Sequence, residues 1–399
     1  MLRSLPRSTL WVLLAALAAP GCLKSLDESL LDAKSTGGAG GTDAGGSGGN
    51  TGGSGGTSPS GGTGGTTGGA GGTDADASDG AGGTGAGSGI VPYDPVKYPV
   101  TNIGSGTPPV IITADDTHVV RASKNKPDAT VVSQPVGGGS GASLPPVERP
   151  QALALDPTYV FVAGGRNIGD TGSVVRLPRA VGPKQELTVP AMGVASGIFA
   201  APDGYVYVSV SAVTPGPGLL RFQSTATSTT TLYTSPAGSE PAGDLAVQDP
   251  CVYFVMSGDI WVMPVSGGTR AAALTAPITD AVGLTTDSSN FYYTRGDGSV
   301  WRRALSSSTC DGGGPAEAQL TSGFVAIGDL VAFDGKVAWT AMGDKAKSYA
   351  GGGVFFISAG GGTVTQMAPA ELGPIDIEQN TTDVVYATDV GPVRKVPKG

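Results

Sequence analysis

Residues 243–268 read GDLAVQDPCVYFVMSGDIWVMPVSGG, and versions of this stretch recur from about Pro109 to the end of the chain. Three short apolar runs, LAV, VYFVM and IWVM, are separated by QDP and SGD, which are turn-forming sequences. Runs of three to five residues between turns are too short for helices, and their β-branched and aromatic residues favour strands. The stretch therefore predicts three strands of a small antiparallel meander.

The repeat has seven copies when the chain is aligned on the second strand. The aligned residues are Val119, Val160, Val206, Val252, Phe291, Val337 and Val384. Their intervals of 39 to 47 residues match the period of a four-stranded propeller blade. We therefore predict an all-β fold with a single β-propeller of seven blades. Six blades result if the segment from Pro109 to Pro135 only completes the ring.

The last copy stops at Gly399, directly after its third strand. A closed ring must then take its missing outer strand from the N-terminal side of the domain, which also hides the sheet edges. The segment from Tyr98 to Ile103 lies just before the first copy and is the candidate for this closing strand.

The first residues of the chain predict export. Arg3 and Arg7 precede an apolar run from Leu10 to Ala19, which is too short to span a bilayer and is typical of a signal peptide. The sequence APGC that ends at Cys22 resembles the lipobox of bacterial lipoproteins, and this resemblance implies cleavage before Cys22 and lipidation of its side chain. Leu23 then favours the outer membrane. The alternative is an ordinary secretory peptide with a cysteine nearby by chance.

Composition predicts a disordered linker between the leader and the propeller. The chain has 67 glycines, many of them in a Gly, Ser and Thr segment at residues 37–89 that cannot bury enough apolar surface to fold. Its reach is on the order of 40 Å. The domain plan is a signal peptide at 1–21, a lipidated segment at 22–36, the linker at 37–89 and the propeller at 90–399. A net charge of −9 argues against a nucleic-acid partner.

The repeats resemble the YWTN-type and YVY-type blades of secreted bacterial β-propellers. These include the TolB-like and NHL-like groups and glycine-tethered lipoproteins. The resemblance covers Pro109 to Gly399 and implies a fold superfamily, whereas propellers host many unrelated functions.

Two cysteines of the propeller region are predicted to pair. Cys251 begins one second strand and Cys310 follows the next third strand, so both fall on the same face of adjacent blades. Leftover cysteines of an exported protein usually form a disulfide. The alternative is two separately buried thiols.

Aspartates occupy two sets of repeated positions. Asp156, Asp287 and Asp334 lie at the turns after first strands, where aspartate caps the turn through backbone N–H groups. By resemblance to calcium-dependent propeller lactonases, the same residues are alternative metal ligands. A second set precedes the first strands at the opposite end of the ring and forms the candidate binding face: Asp244, Asp280 and Asp329.

No catalytic constellation is readable, and no catalytic or metal-ligating residue is assigned. His118 is the only histidine, which excludes a histidine-rich zinc site and favours a surface residue over a Ser-His-Asp triad. The aromatic residues Trp261, Trp301, Trp339 and Phe355 recur within strands and indicate blade packing rather than a platform for sugar rings.

The sequence thus favours a monomeric, lipid-anchored propeller on the outer membrane or cell surface. It binds a protein or an envelope polysaccharide without catalysis and without a cofactor. The alternative is a divalent-metal-dependent hydrolase or lyase that uses channel carboxylates, with calcium as the metal. A third hypothesis is a structural surface protein for adhesion or spacing.

Overall fold

The fold is given by a computed structural model of the chain. It describes residues 89–124, 126–165, 172–180, 182–189, 193–211, 216–236, 242–305, 310–312, 317–369 and 372–399. The expected signal peptide, the lipidation site at Cys22 and nearly all of the expected linker lie outside these residues. The propeller belongs to a compact unit, Gly82–Gly399.

The prediction of a seven-bladed propeller is confirmed. The described residues form seven four-stranded sheets, and in six of them the four strands follow one another along the chain. Every neighbouring pair of strands within a blade is antiparallel, as the meander pattern predicts. The segment from Pro109 to Pro135 belongs to a complete blade, which excludes the six-blade alternative.

The first three blades run from the inner to the outer strand as follows. Blade 1 contains β2 (Val110–Ala114), β3 (His118–Ser123), β4 (Ala129–Pro135) and β5 (Ala142–Val147). Blade 2 contains β6 (Pro150–Leu155), β7 (Tyr159–Gly164), β8 (Ser173–Pro178) and β9 (Gln185–Glu186). Blade 3 contains β10 (Ala195–Ala200), β11 (Tyr205–Val210), β12 (Gly216–Gln223) and β13 (Thr230–Ser235).

The remaining blades follow the same order. Blade 4 contains β14 (Ala242–Gln248), β15 (Cys251–Met256), β16 (Asp259–Pro264) and β17 (Ala271–Ala272). Blade 5 contains β18 (Ala281–Thr286), β19 (Asn290–Arg295), β20 (Val300–Ala304) and β21 (Ala318–Thr321). Blade 6 contains β22 (Ile327–Phe333), β23 (Lys336–Ala341), β24 (Gly353–Ser358) and β25 (Thr365–Pro369). Blade 7 contains β26 (Pro374–Gln379), β27 (Asp383–Thr388), β28 (Pro392–Pro397) and, outermost, β1 (Thr101–Ser105).

The N-terminal strand closes the ring, with a shift from the predicted segment. β1 pairs with β28 from Thr101 opposite Lys395 to Ser105 opposite Pro392. The predicted strand began at Tyr98, but this side chain is buried and packs edge-on against Phe356 of blade 6. The predicted closing segment is therefore correct in place and wrong in its first three residues.

The core lies between neighbouring blades. In blades 2 to 7 the second strand is the most buried, and all six residues of β15 are buried. An aromatic row joins blades 4 and 5: the ring of Tyr253 lies 5.1 Å from that of Phe291, and Tyr293 stacks on Trp301. In blade 6, Trp339 and Phe355 are buried and stacked, as their predicted packing role requires.

Arginines of the third strands link blades 2, 3 and 5 to the blade that follows each of them. Arg176 donates to the carbonyl oxygen of Ser224, and Arg221 donates to that of Val265. Blade 5 repeats the contact through Arg302, which donates to the carbonyl oxygen of Ala359 in blade 6. Each arginine thus satisfies a carbonyl in the loop between the third and fourth strands of the following blade.

The predicted disulfide is confirmed. Cys251 at the start of β15 is bonded to Cys310, and their Cα atoms lie 5.6 Å apart. Cys310 is in the loop after β20, so the bond ties blade 4 to blade 5.

The described part of the chain is almost entirely strand and turn. Its short 3-10 helix, Lys345–Lys347, lies in the loop between β23 and β24. Among the described residues, no helix has the length and apolar character needed to cross a membrane.

Candidate binding face

Chain connectivity gives the ring two different faces. One face, which we name the loop face, carries the connections into each innermost strand and those between second and third strands. The opposite face, the turn face, carries the tight turns between first and second strands and the loops between third and fourth strands. The disulfide and the capped aspartate turns lie on the turn face.

Three exposed valines lie on the loop face. Val282 at the start of β18 is 39 % exposed, Val325 before β22 is 51 % exposed, and Val390 after β27 is 45 % exposed. They belong to the consecutive blades 5, 6 and 7. The other large apolar side chains that are exposed among the described residues are Ile90, Val91 and Val96, which precede β1. The loop face therefore carries all the large exposed apolar side chains of the blades that the structure describes.

The loop between β23 and β24 stands beside these valines. Its backbone is held by the N–H of Gly343, which donates to the carbonyl of Val325. The hydroxyl of Tyr349 donates to Asp389 of blade 7 at 2.9 Å, and Lys345 forms an ion pair with the same carboxylate at 2.7 Å. These contacts fasten the loop across blades 6 and 7, next to Val390.

Two of the predicted face aspartates occupy the central channel rather than the loops before the strands. Asp244 lies inside β14 and Asp329 lies inside β22, each at a β-bulge of the innermost strand. The prediction that they precede first strands is thus wrong, because the bulge begins the strand two residues earlier. Asp280 does precede its strand and lies on the loop face, where its carboxylate pairs with Arg295 at 2.9 Å.

Asp376 in β26 occupies the same bulge position as Asp244 and Asp329. In each case the backbone N–H of the following residue donates to the aspartate: Leu245, Leu330 and Ile377. The second carboxylate oxygen reaches the next blade in two of them. Asp244 accepts from the N–H of Leu284 at 2.9 Å, and Asp376 accepts from that of Ile112 at 2.8 Å. The bond of Asp376 spans blades 7 and 1, where the ring closes.

A glycine before the aspartate permits this close approach. At Gly328, a Cβ atom would lie 2.5 Å from the hydroxyl of Thr340 and 2.7 Å from the carbonyl oxygen of Ile375 in blade 7. Any side chain at this position would force blades 6 and 7 apart. At Gly328-Asp329 the sequence pair therefore combines a tight contact between blades with a carboxylate directed into the channel.

Four carboxyl groups gather in the channel: Asp244, Asp329, Asp376 and Glu378. Each of these residues is partly exposed. Burial is the largest cause of the raised pKa of all four, and their mutual negative charges raise it further in most of them.

The pKa is raised at all four channel carboxyls. The pKa of Asp244 and that of Asp376 rise to about 6, while burial and the neighbouring charges hold those of Asp329 and Glu378 well above their usual range. A side-chain hydrogen bond from Asp329 lowers the pKa of Asp376. In that bond the carboxyl of Asp329 donates and the carboxylate of Asp376 accepts. Lys124 is the cation whose charge reaches Asp376.

The channel carboxylates do not form a metal cage. Among the described residues, no group of three or more His, Cys, Asp or Glu side chains is arranged to hold a metal ion. The carboxylate oxygens of Asp244 and Asp376 already accept backbone N–H groups, which competes with metal coordination.

His118 sits on the turn face in a different network. Its Nδ1 lies 3.0 Å from the guanidinium of Arg179 and 2.9 Å from the hydroxyl of Thr117. A guanidinium only donates, so Nδ1 accepts and the ring proton sits on Nε2. Asp115 accepts from Arg179, Thr117 and the backbone N–H of His118. The imidazole ring of the histidine is thus paired with an arginine, whereas a Ser-His-Asp triad would require a carboxylate at that position.

Hydrogen bonds determine the pKa of Asp115. Burial raises it, but the bonds from Arg179, His118 and Thr117 outweigh burial and lower the pKa to about 2. This carboxylate therefore stabilises the turn face down to acidic pH.

The turn aspartates of the first set behave as caps. Asp156 accepts from the backbone N–H groups of Thr158 and Tyr159, both at 2.6 Å. Asp287 accepts from those of Ser289 and Asn290, both at 2.7 Å. Asp334 occupies a left-handed position, with φ of 45°, in the turn between β22 and β23. These contacts account for Asp156 and Asp287 as turn caps.

Solved structures share this fold. A virginiamycin B lyase from Staphylococcus aureus superimposes with a TM-score of 0.57 at 14 % identity, over 75 % of this chain and 99 % of that one. The RRP9 WD40 repeats give 0.53 at 12 % identity, over 75 % and 97 %. The WD40 propeller domain of Doa1 gives 0.53 at 12 % identity, over 76 % and 98 %. Identities this low show the fold alone. No family model matches the sequence, and no curated protein matches it.

Proposed function

We propose that this chain is an exported propeller, anchored through lipid at Cys22, that binds a protein partner through its loop face and performs no catalysis. We place its blades with the secreted TolB-like and NHL-like type. The observation that carries the binding role is the group of exposed valines, Val282, Val325 and Val390, on one face of three consecutive blades. Exposed apolar side chains concentrated on one face are typical of protein interaction sites.

The side-chain chemistry favours a protein over a polysaccharide. Sugar rings stack on aromatic platforms, but the large exposed apolar side chains of the described loop face are aliphatic. The stacked pair Trp339 and Phe355 is buried within blade 6. Tyr349 is held by its hydroxyl on Asp389.

Export and anchoring rest on the leader, the lipobox-like sequence and the disulfide. A disulfide between Cys251 and Cys310 is typical of an oxidising compartment outside the cytoplasm. Replacing Cys22 with Ser should release the protein from the membrane fraction and abolish incorporation of a labelled acyl chain. Membrane retention of the Cys22→Ser variant without label would contradict the lipid anchor.

Site-specific photo-cross-linking tests the binding face. A photoreactive amino acid replaces Val325 on the loop face in one variant and the exposed Ser266 on the turn face in the other. We expect a discrete cross-linked protein from position 325 that Val390→Asp weakens, and none from position 266. Equal cross-linking from both positions, or none from position 325, would contradict the proposal.

The second candidate is the metal-dependent hydrolase or lyase. The gathering of Asp244, Asp329, Asp376 and Glu378 in the channel is the observation that favours it. Because two of these carboxylates accept backbone N–H groups, the non-catalytic binding role is the better supported proposal. A calcium titration, described in the Discussion, separates the two.

A further inference from the structure

The channel opens on the same face as the exposed valines. Asp244, Asp329 and Asp376 are each the third residue of an innermost strand, and these strands begin at the loop face. Glu378 lies two residues further along β26, deeper in the channel. The acidic mouth of the channel and the exposed valines therefore lie on the same face, where one partner can reach both.

Three cations of the loop face are engaged with acids outside the channel. Arg295 pairs with Asp280, Lys345 with Asp389, and Lys347 with Asp344. Lys124, from the loop after β3, is the cation whose charge acts on Asp376, and Lys126 and Arg149 also lie in loops of this face. Four carboxyl groups from β14, β22 and β26 share the channel, so acid is in excess at its mouth.

We propose that the partner is a polypeptide segment that packs apolar side chains on Val282, Val325 and Val390 and inserts a lysine or arginine side chain into the channel mouth between Asp244, Asp329, Asp376 and Glu378. This inference rests on the proposed function, because it names the chemistry of the partner for the same face. A cation adds specificity there, since it meets an acidic site that rejects neutral and acidic side chains. The long apolar stem of either side chain suits passage between the valines and the channel.

The test selects ligands without assuming their identity. The propeller at residues 89–399, which contains all twenty-eight strands including the closing strand, is immobilised and used to select from a library of random short peptides. Selected peptides are then made with their basic residue and with norleucine in its place, and their affinities are measured by fluorescence anisotropy.

Two protein variants separate the apolar from the ionic contribution. Val325→Asp with Val390→Asp disrupts the apolar surface at two exposed positions. Asp329→Asn with Glu378→Gln removes two channel carboxyls while preserving side-chain shape. Ser266→Asp on the turn face is the matched control and should leave binding unchanged.

We expect basic residues next to apolar ones in the selected peptides, and an affinity loss of about tenfold or more on norleucine replacement. A bound cation lowers the pKa of the wild-type Asp329 and Glu378, which then ionise beside it, whereas the two amides cannot. The Asp329→Asn/Glu378→Gln protein should therefore lose the same factor for the basic peptide and nothing for its norleucine form. Binding of the basic peptide should strengthen as the pH rises through the range in which the carboxyls ionise.

The outcomes distinguish the two proposals. Peptides that depend on Val325 and Val390 but carry no basic residue, or that ignore the channel variant, would overturn the inference and leave the binding face intact. Peptides that bind the Val325→Asp/Val390→Asp protein as well as the parent protein would overturn the proposed face itself. Selection of no peptide at all would contradict both.

Discussion

Replacing Asp329 with asparagine should make the propeller more stable near neutral pH. The amide oxygen keeps the bond from the backbone N–H of Leu330, and the amide N–H donates to Asp376 as the protonated carboxyl does. The asparagine therefore reproduces the neutral form of Asp329 without taking up a proton. In the wild-type chain, Asp329 must take up a proton on folding, although its carboxyl is ionised in the unfolded state at this pH. This proton uptake lowers the free energy of unfolding.

The magnitude follows from the neighbouring carboxyls. The pKa of Asp244 and that of Asp376 rise from 3.8 to about 6. At 1.36 kcal/mol per pKa unit, this difference corresponds to about 3 kcal/mol for each carboxyl. Burial and three negative neighbours also raise the pKa of Asp329, so Asp329→Asn should likewise raise the free energy of unfolding near pH 7.

The raised pKa values of the channel carboxyls determine how the free energy of unfolding changes with pH. A carboxyl whose pKa is higher in the folded state binds more protons there, so the free energy of unfolding falls as the pH rises from about 4 through about 6. Asp115 acts oppositely, but its pKa of about 2 confines its effect to pH values below about 4. The wild-type chain should therefore lose stability between about pH 4 and pH 7, and Asp329→Asn should lose less.

Urea unfolding followed by tryptophan fluorescence, at several pH values across this range, measures the effect. Asp297→Asn removes a carboxylate from the loop face outside the channel, and its curve should run parallel to that of the wild-type chain. A wild-type stability that is constant or rises toward neutral pH would refute the reasoning. Parallel curves for Asp329→Asn and the wild-type chain would do the same.

Three further perturbations have defined outcomes. Replacing both Cys251 and Cys310 with serine should lower the free energy of unfolding by up to about 4 kcal/mol, because the bond closes a separation of 59 residues, and unchanged urea unfolding would contradict this. Arg221→Ala should cost about 1–3 kcal/mol, since it leaves the carbonyl of Val265 unpaired, whereas Lys184→Ala at an exposed position should cost little in the same assay. Millimolar calcium should leave the melting temperature unchanged, because backbone N–H groups occupy the carboxylates of Asp244 and Asp376; a rise that EDTA reverses would favour the metal-dependent enzyme.

Much of the fold could be predicted from the sequence because strands and turns are encoded locally. Alternating apolar runs and turn residues repeat every 39 to 47 residues, which determines blades and their number. The pairing of Cys251 with Cys310 followed from the same repeat, since both lie at equivalent ends of adjacent blades. The caps at Asp156 and Asp287 followed from turn chemistry.

The channel cluster was only partly visible. Asp244 and Asp329 were selected for their position, but Asp376 and Glu378 were missed, although IDIE in the last copy aligns with GDLA and GDLV in the others. That alignment is the signal that could have found Asp376. The bulges direct these side chains into the channel. Their only sequence signature is the glycine that comes directly before the aspartate in GDLA and GDLV.

The sequence by itself determined the blades, their order and the turns that join them, because each depends on residues a few positions apart. The tertiary structure alone decided that carboxyls from β14, β22 and β26 share one channel and that Val282, Val325 and Val390 share one face. These residues are separated by whole blades along the chain, and they share one channel and one face because the blades pack side by side in a ring that β1 closes on β28. Their raised pKa values arise from burial and mutual repulsion, which exist only once the closed ring brings the carboxyls together.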